Sequence, residues 1–92
     1  MNYTLEMTEH LKERLEKLKS LEPSVWIQIA IEIEEIRKCP KKGILKKKCS
    51  LGALPPGVYV DYVVIDGQRF SIIYQFLENL KLIRIVGMYP RE

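Results

Sequence analysis

The sequence is poor in the residues from which most catalytic and metal sites are built. It contains one histidine, His10, and two cysteines, Cys39 and Cys49. Neither a Ser-His-Asp triad nor a histidine-based metal site is expected from a single histidine on the first turn of a predicted helix. The cysteines have no second pair or histidine partner at zinc-ligand spacing, so we expect no metal and no other cofactor. Two reduced thiols are favoured over a disulfide across the intervening segment.

Long apolar runs and phosphate-binding glycine loops are also missing. Apolar runs such as residues 63–65 are far short of the ~18 residues that a membrane span requires, so no membrane contact is expected. Residues 1–6 lack the basic start and apolar centre of a secretion signal, which makes the cytoplasm the expected compartment. Gly52, Gly57 and Gly67 fit no nucleotide-binding pattern and are expected in turns.

What the chain does contain is enough for one small domain, residues 1–92. Hydrophobic residues make up 47% and charged residues 29% of the sequence, as in a folded globular protein. The net charge is only +3, but residues 36–60 contain no acid. The basic residues of this stretch are Arg37, Lys38, Lys41, Lys42, Lys46, Lys47 and Lys48. Such segregation favours contact with phosphates or an acidic partner; lysines that merely keep a surface loop soluble are the alternative.

The first half of the chain predicts a strand and two helices. Residues 3–7 alternate between apolar and polar side chains, as in a half-buried strand. Thr8 is a helix cap, and the leucines at 11, 15, 18 and 21 fall near one helical face. Residues 25–38 are ambiguous, because isoleucine at every second position from 27 to 33 is typical of a strand. The stripe at 25, 29, 33 and 36 and the length of fourteen residues favour a helix, which Cys39-Pro40 then ends.

The second half predicts a meander of strands after a basic loop. We interpret Lys41–Pro56 as that loop, and residues 59–65, 70–76 and 80–88 as strands joined by turns at Asp66-Gly67 and Glu78-Asn79. Asp61 is expected to be an edge or ion-pair residue. The order β-α-α-β-β-β predicts an α+β domain, with two helices on a mainly antiparallel four-stranded sheet.

Two stretches of this second half contain short motifs, since residues 67–74 read GQRFSIIY and residues 83–91 read IRIVGMYPR. These motifs resemble those of the RelE/ParE toxin superfamily of type II toxin-antitoxin and plasmid stabilisation proteins. The usual family text is G-D-Y-R-V-I-Y followed by V-x-x-V-G-H-R. The resemblance covers nearly the whole chain in order and length, and it implies that the two helices pack as a hairpin on the sheet.

For the RelE branch the resemblance implies cleavage of messenger RNA on the ribosome, by attack of a ribose 2′-hydroxyl on the neighbouring phosphate. Family members supply cations from the second strand, where this chain has Val60 and Tyr62. They supply another from the arginine of G-x-Y-R, where this chain has Ser71. The arginine of the last motif is retained as Arg91, but Pro90 precedes it in place of histidine or lysine.

Candidate replacements for the substituted positions lie close by. Arg69 is two residues from Ser71 and therefore on the same strand face, and Tyr62 and Tyr89 each offer a phenol. The predicted catalytic residues are thus Arg91, Arg69, Tyr62 and Tyr89. The predicted RNA and phosphate ligands are Lys41, Lys42, Lys46, Lys47 and Lys48.

Two functions remain open from the sequence. The first is a RelE-type messenger RNA endonuclease that acts on the ribosome. The second is a non-catalytic protein of the same fold, either a ParE-like inhibitor of DNA gyrase or a degenerate toxin that only binds partners. The expected partners are a cognate antitoxin together with the ribosome and its messenger RNA, or, in the alternative, DNA gyrase.

Overall fold

Two helices cover one face of a five-stranded sheet in the computed structural model of this chain, which describes residues 3–49 and 52–91. In chain order the elements are β1 (Thr4–Met7), α1 (Glu9–Leu21), α2 (Pro23–Lys38), β2 (Ile44–Cys49), β3 (Gly52–Ile65), β4 (Gln68–Leu77) and β5 (Leu82–Arg91), with a 3-10 turn (Glu78–Leu80) before β5. No helix in the described part of the chain is both long and apolar enough to cross a membrane.

Helix α1 begins where the sequence predicts. The Thr8 hydroxyl accepts a hydrogen bond from the backbone N–H of Leu11 at 3.2 Å, which satisfies one of the free donors at the helix start. Leu11 is buried and Leu15 and Leu18 pack against the core, but Leu21 is 78% exposed. The apolar stripe therefore anchors the first three turns, and its prediction is wrong at Leu21, the last residue of the helix.

The ambiguous segment is helical, as predicted, and begins slightly earlier, at Pro23. Proline suits the first helical position because the N–H that it lacks has no partner there. Ile29, Ile33 and Ile36 are buried, whereas Ile27 and Ile31 are exposed. The buried residues are spaced by four and then three positions, so they form the apolar face of a helix that packs on the core. The isoleucines between them, Ile27 and Ile31, lie partly in solvent.

The sheet has the order β1-β5-β4-β3-β2. Strand β1 pairs in parallel with β5, and every other described pair is antiparallel. This confirms the α+β class and the mainly antiparallel sheet. The core lies between the helices and this sheet, and its fully buried members include Ile29 and Ile36 of the helices and Ile72, Tyr74 and Ile83 of the strands.

The predicted loop over Lys41–Pro56 is wrong, because it contains β2 and the start of β3. The run of three lysines in β2 hides the apolar alternation that marks a strand, and pairing with β3 supplies the order that local sequence does not. The pairing passes from Lys46↔Val58 to Lys48↔Ala53, so the Pro55-Pro56 pair falls in the gap. Proline has no N–H for a ladder, and an irregularity is where a strand tolerates it. The sheet consequently has five strands and not four.

Both predicted turns are present. Asp66 and Gly67 have φ values of 51° and 76°, as a tight hairpin of the type favoured by Asp-Gly requires. Ser24 and Gln28 of α2 donate hydrogen bonds to the Asp66 carboxylate at 3.3 and 2.8 Å, which ties this hairpin to the helix. The second turn is a 3-10 turn that ends at Lys81 with φ 50°, so β5 begins at Leu82.

Candidate functional site

The face of the sheet opposite the helices, called here the open face, carries the candidate residues. Residues that pair directly across neighbouring strands project to the same side. Tyr62 pairs with Ser71 and Ser71 with Tyr89, while Arg69 pairs with Arg91 one step further along. Core residues such as Ile72 and Tyr74 occupy the alternate positions. The open face therefore collects two tyrosines and two arginines from β3, β4 and β5.

The ring of Tyr62 is the meeting point of two cations. The Arg91 guanidinium lies 4.4 Å from the ring centroid, and the Lys46 ammonium lies 5.8 Å from it. Both distances are within the range at which an aromatic ring attracts a cation. Lys46 comes from β2 and Arg91 from β5, on opposite sides of β3 in the strand order. Tyr62 thus joins side chains from three strands.

Arg91 reaches Tyr62 by crossing β4. The small residue between them is Ser71, which is only 8% exposed although no described helix covers its face. We infer that the neighbouring side chains of the open face cover Ser71. The Nε atom of Arg91 is buried and has no hydrogen-bond partner among the described residues. The guanidinium is therefore held by its contact with the Tyr62 ring and not by an ion pair through Nε.

Tyr89 is held in a different way. A Cβ atom added at Gly87 would lie 2.7 Å from the Tyr89 ring and 2.9 Å from its hydroxyl, so the ring lies directly over the Gly87 backbone. Gly87 sits beside an irregularity, because the register passes from Ile73↔Gly87 to Tyr74↔Ile85 and leaves Val86 unmatched. Bulges of this kind re-aim side chains next to functional sites. Tyr89 remains 52% exposed and accessible to a ligand.

The open face is electropositive around Tyr62. Arg69 is exposed beside Arg91 in the register. Among the described strand residues, Glu6 is the one acid on this face, and it pairs with Arg84 at 2.9 Å near the β1 edge. No described carboxylate therefore competes with an anion for Lys46, Arg69 or Arg91, and like charges at this density favour a phosphate ligand.

The predicted lysines do not form one group. Lys46 is half-buried against Tyr62, whereas Lys47 and Lys48 are exposed beyond the irregularity in β2. Lys41 is exposed in the α2–β2 connection. Lys42 forms an ion pair with Glu32 of α2. The structure thus brings Lys46, of the five, to the predicted catalytic residues.

A second cluster, on the helix side of the sheet, was not predicted as a site. Asp61 is 5% exposed and its Oδ2 atom has no hydrogen-bond partner among the described residues. Burial, and then hydrogen bonding and repulsion from Glu32, raise the pKa of Asp61 to about 7. Burial works against ionisation of Glu32 too, but hydrogen bonds from Asp61 and Lys42 lower its pKa below the usual value. The sequence signal was an acid at an inward position of an apolar strand.

The connection between α2 and β2 is fixed beside this cluster. The Tyr74 hydroxyl donates a hydrogen bond to the Pro40 carbonyl at 2.6 Å and accepts one from the Gly43 N–H at 3.0 Å. Burial raises the pKa of Tyr74 to about 12, which keeps the phenol protonated as a donor. These contacts set where β2 begins and hence where Lys46 lies.

His10 and Cys39, two of the scarce residues of the sequence, lie away from the open face. His10 is exposed on the first turn of α1. Cys39 is an exposed free thiol at the C-terminal cap of α2. The side chain of Cys49, and with it the predicted alternatives for the cysteine pair, lies outside the described residues.

Three solved structures similar to this chain share one fold. No protein-family model and no curated protein sequence matches the chain. Among solved structures it is similar to a variant of the E. coli toxin RelE with two arginines replaced by alanine, in the free state, at 18% identity over 96% of this chain and 82% of that chain. It is similar to the isolated E. coli RelE toxin at 20% identity, over 98% and 85% of the two chains.

A third similar structure is the intact E. coli RelBE toxin-antitoxin complex, at 20% identity over 98% of both chains. All three superpositions have a TM-score of 0.64. The chain accordingly has the RelE toxin fold, as the resemblance in its sequence predicts. A structural likeness at this level of sequence identity shows the fold alone, and function has to be argued from the open face.

Proposed function

We propose that the protein is the toxin of a type II toxin-antitoxin system and cleaves messenger RNA on the ribosome, as in the RelE branch of the resemblance. The observation that carries the proposal is the cluster of Lys46, Tyr62 and Arg91 on the open face, with Arg69 and Tyr89 beside it. Exposed aromatic side chains among cations are one means by which proteins bind single-stranded RNA. The RelE fold supports the same assignment.

In the proposed reaction the ribose 2′-oxygen attacks the adjacent phosphorus, and the bond from phosphorus to the 5′-oxygen breaks. A proton leaves the 2′-hydroxyl, and one is delivered to the departing 5′-oxygen. Arg91 stabilises the negative charge that develops on the phosphate oxygens, and Lys46 and Arg69 hold the backbone. Cations that are already in place on a face without free acids need no reorganisation during the reaction, and such preorganised charge is usually the main source of rate enhancement.

Delivery of the proton to the departing 5′-oxygen is assigned to Tyr89, and the proton that leaves the 2′-hydroxyl passes to water. The Tyr89 ring is held over Gly87 but 52% of the residue is exposed, while the ring of Tyr62 is engaged by two cations. A phenol can move a proton when it lies within hydrogen-bonding reach of the reacting oxygen. The open face offers no histidine for this task among its described residues.

A cognate antitoxin is the expected partner. One of the similar structures is a RelBE toxin-antitoxin complex. The partner proposed here is a segment that covers the open face and places carboxylates against Arg69 and Arg91, because complementary charge both guides binding and blocks RNA. Such a segment would neutralise the toxin by occupying its phosphate site.

The test is inducible expression of the chain with and without the small open reading frame beside its gene, followed by primer extension across a translated message. Codon-phased cuts and growth arrest are expected, and both should disappear in Arg91→Ala. Arg84→Ala is the matched control, since this arginine lies on the same strand and face but pairs with Glu6. The control should arrest growth like the wild type.

The other outcomes are equally informative. Arrest without cuts would contradict cleavage and would direct the work to a supercoiling assay with DNA gyrase. Absence of arrest, with folded protein confirmed by circular dichroism, would contradict the toxin assignment. The remaining hypothesis would then be a protein that retains the fold and only binds a partner.

A further inference from the structure

We propose that Tyr62 is a positioning residue, whose ring holds Arg91 and Lys46 as a two-cation clamp for one phosphate group. The identity of that phosphate, a diester of the messenger RNA backbone, rests on the proposed function; the clamp itself rests on geometry alone. Tyr62 acts through its ring and not through its hydroxyl. The role of Tyr62 in the site therefore differs from the proton transfer that the sequence predicts for it.

The geometry of the clamp follows from the two ring contacts. The Arg91 guanidinium is 4.4 Å and the Lys46 ammonium 5.8 Å from the Tyr62 centroid, so the two cations lie within about 10 Å of each other. Two like charges at that distance repel, and a shared aromatic ring attracts both. A phosphate that contacts both cations at the edge of the ring would reduce this repulsion, which is why the pair should take up a phosphate.

The contacts of Arg91 indicate that the ring is its main anchor. Its Nε atom is buried without a described hydrogen-bond partner, and its neighbour in the register is another cation, Arg69. The described acid of this face, Glu6, is engaged by Arg84. With no described carboxylate to orient the guanidinium, loss of the Tyr62 ring leaves Arg91 to swing into solvent.

Ser71 makes the arrangement possible. Arg91 and Tyr62 come from β5 and β3, two strand spacings or about 10 Å apart, and Ser71 of β4 lies between them. A long side chain at that point would separate the guanidinium from the ring. Lys46 depends on a different feature, since β2 brings it into register with Val58 on the same face.

The experiment uses the full chain and compares Tyr62→Phe, which keeps the ring, with Tyr62→Leu, which removes it. The order of the Arg91 side chain is measured by the heteronuclear NOE of its Nε–Hε group, assigned through Arg91→Lys. Affinity for inorganic phosphate, the smallest probe of the clamp, is measured by titration of the same signal. Tyr89→Leu is the control, because it removes the other exposed tyrosine of the face.

In Tyr62→Leu the Arg91 NOE should fall to the level of a solvent-exposed arginine, and phosphate affinity should drop about fivefold, the change that a cation–π contact of ordinary strength produces. Tyr62→Phe and Tyr89→Leu should keep the order of Arg91, and Tyr62→Phe should keep phosphate affinity within about twofold. Equal losses in the Phe and Leu variants, or none in Leu, would overturn the proposal.

These measurements need neither the ribosome nor growth arrest. If the wild type causes no arrest but its Arg91 order and phosphate binding depend on the ring, the proposed function fails and the clamp stands. If arrest occurs and the Leu variant leaves Arg91 ordered, the clamp fails and the proposed function stands. The two inferences can therefore be separated.

Discussion

Replacing Asp61 with asparagine should make the protein more stable at neutral and alkaline pH. Asp61 is 5% exposed and lies against Glu32, and Lys42 completes the cluster. Tyr74 and Glu35 are the other titratable groups nearby. The pKa of Asp61 is raised from 3.8 to about 7, chiefly by burial. Asparagine keeps the shape of the side chain but cannot acquire the charge that burial disfavours.

The sign and size follow from the two pKa values. Because the folded protein holds the Asp61 proton more tightly than the unfolded chain, the contribution is full below pH about 4 and is lost as pH rises to 7. Each pKa unit corresponds to about 1.4 kcal/mol, so the shift sets an upper limit of about 4 kcal/mol. The pKa of about 7 already includes the opposing attraction of Lys42, and the wild type is expected to lose about 2–4 kcal/mol of its free energy of unfolding between about pH 4 and pH 7.

Glu32 has the opposite dependence. Its pKa is lowered by its hydrogen bonds to Asp61 and Lys42, so its contribution is present above pH about 4.5 and is lost as pH falls. As far as this cluster decides, the wild type should accordingly be most stable near pH 4, where the Asp61 contribution begins to fall and that of Glu32 is still rising. Asp61→Asn should remove the decline above that maximum.

Urea denaturation between pH 5 and pH 8 measures this effect as the free energy of unfolding. The difference between Asp61→Asn and the wild type should grow by about 1 kcal/mol per pH unit up to pH 7 and then level off. Glu13→Gln, at an exposed position of α1, is the control and should follow the wild type at every pH. A difference between the Asn variant and the wild type that stays constant from pH 5 to pH 8 would refute the reasoning.

Two further predictions concern packing. Tyr74→Phe removes the hydroxyl that donates to the Pro40 carbonyl and accepts from the Gly43 N–H. The substitution should lower the free energy of unfolding, measured by urea denaturation, by about 1–3 kcal/mol. An unchanged value would contradict the role of the phenol at the α2–β2 connection. Gly87→Ala should displace the Tyr89 ring. In a double-mutant cycle with Tyr89→Ala, the cost of the added methyl should shrink by about 1 kcal/mol when the ring is absent, and strict additivity would show that ring and methyl do not meet.

Most of the fold is predictable because it depends on local signals. The Thr8 cap, the Asp66-Gly67 turn and the helical spacing of Ile29, Ile33 and Ile36 each act over a few residues, and each is confirmed. Strand β2 has no such signal, since its lysines are neither alternating nor apolar. It is a strand because β3 offers it a partner edge, which is a tertiary effect that local propensity does not contain.

The sequence predicts candidate residues for the site but not how their side chains are arranged. Strand alternation predicts that Arg69 and Ser71 share a face, and the register of the structure adds Tyr62, Tyr89 and Arg91 to the same face. Their contacts depend on side-chain reach across strands that are far apart in sequence. The Asp61 cluster was missed for the same reason, because Glu32 and Lys42 approach it only through the packing of α2 on the sheet.

Two of the departures from the pattern that the sequence resembles, Tyr62 and Ser71, are compatible with each other in the structure. A cation at position 62 would repel Arg91, and an arginine at Ser71 would stand between β3 and β5. With tyrosine and serine there, Arg91 lies over the ring and Lys46 joins it from β2. Positive charge on the open face thus comes from side chains of different strands, and tyrosine at 62 and serine at 71 leave room for this pair.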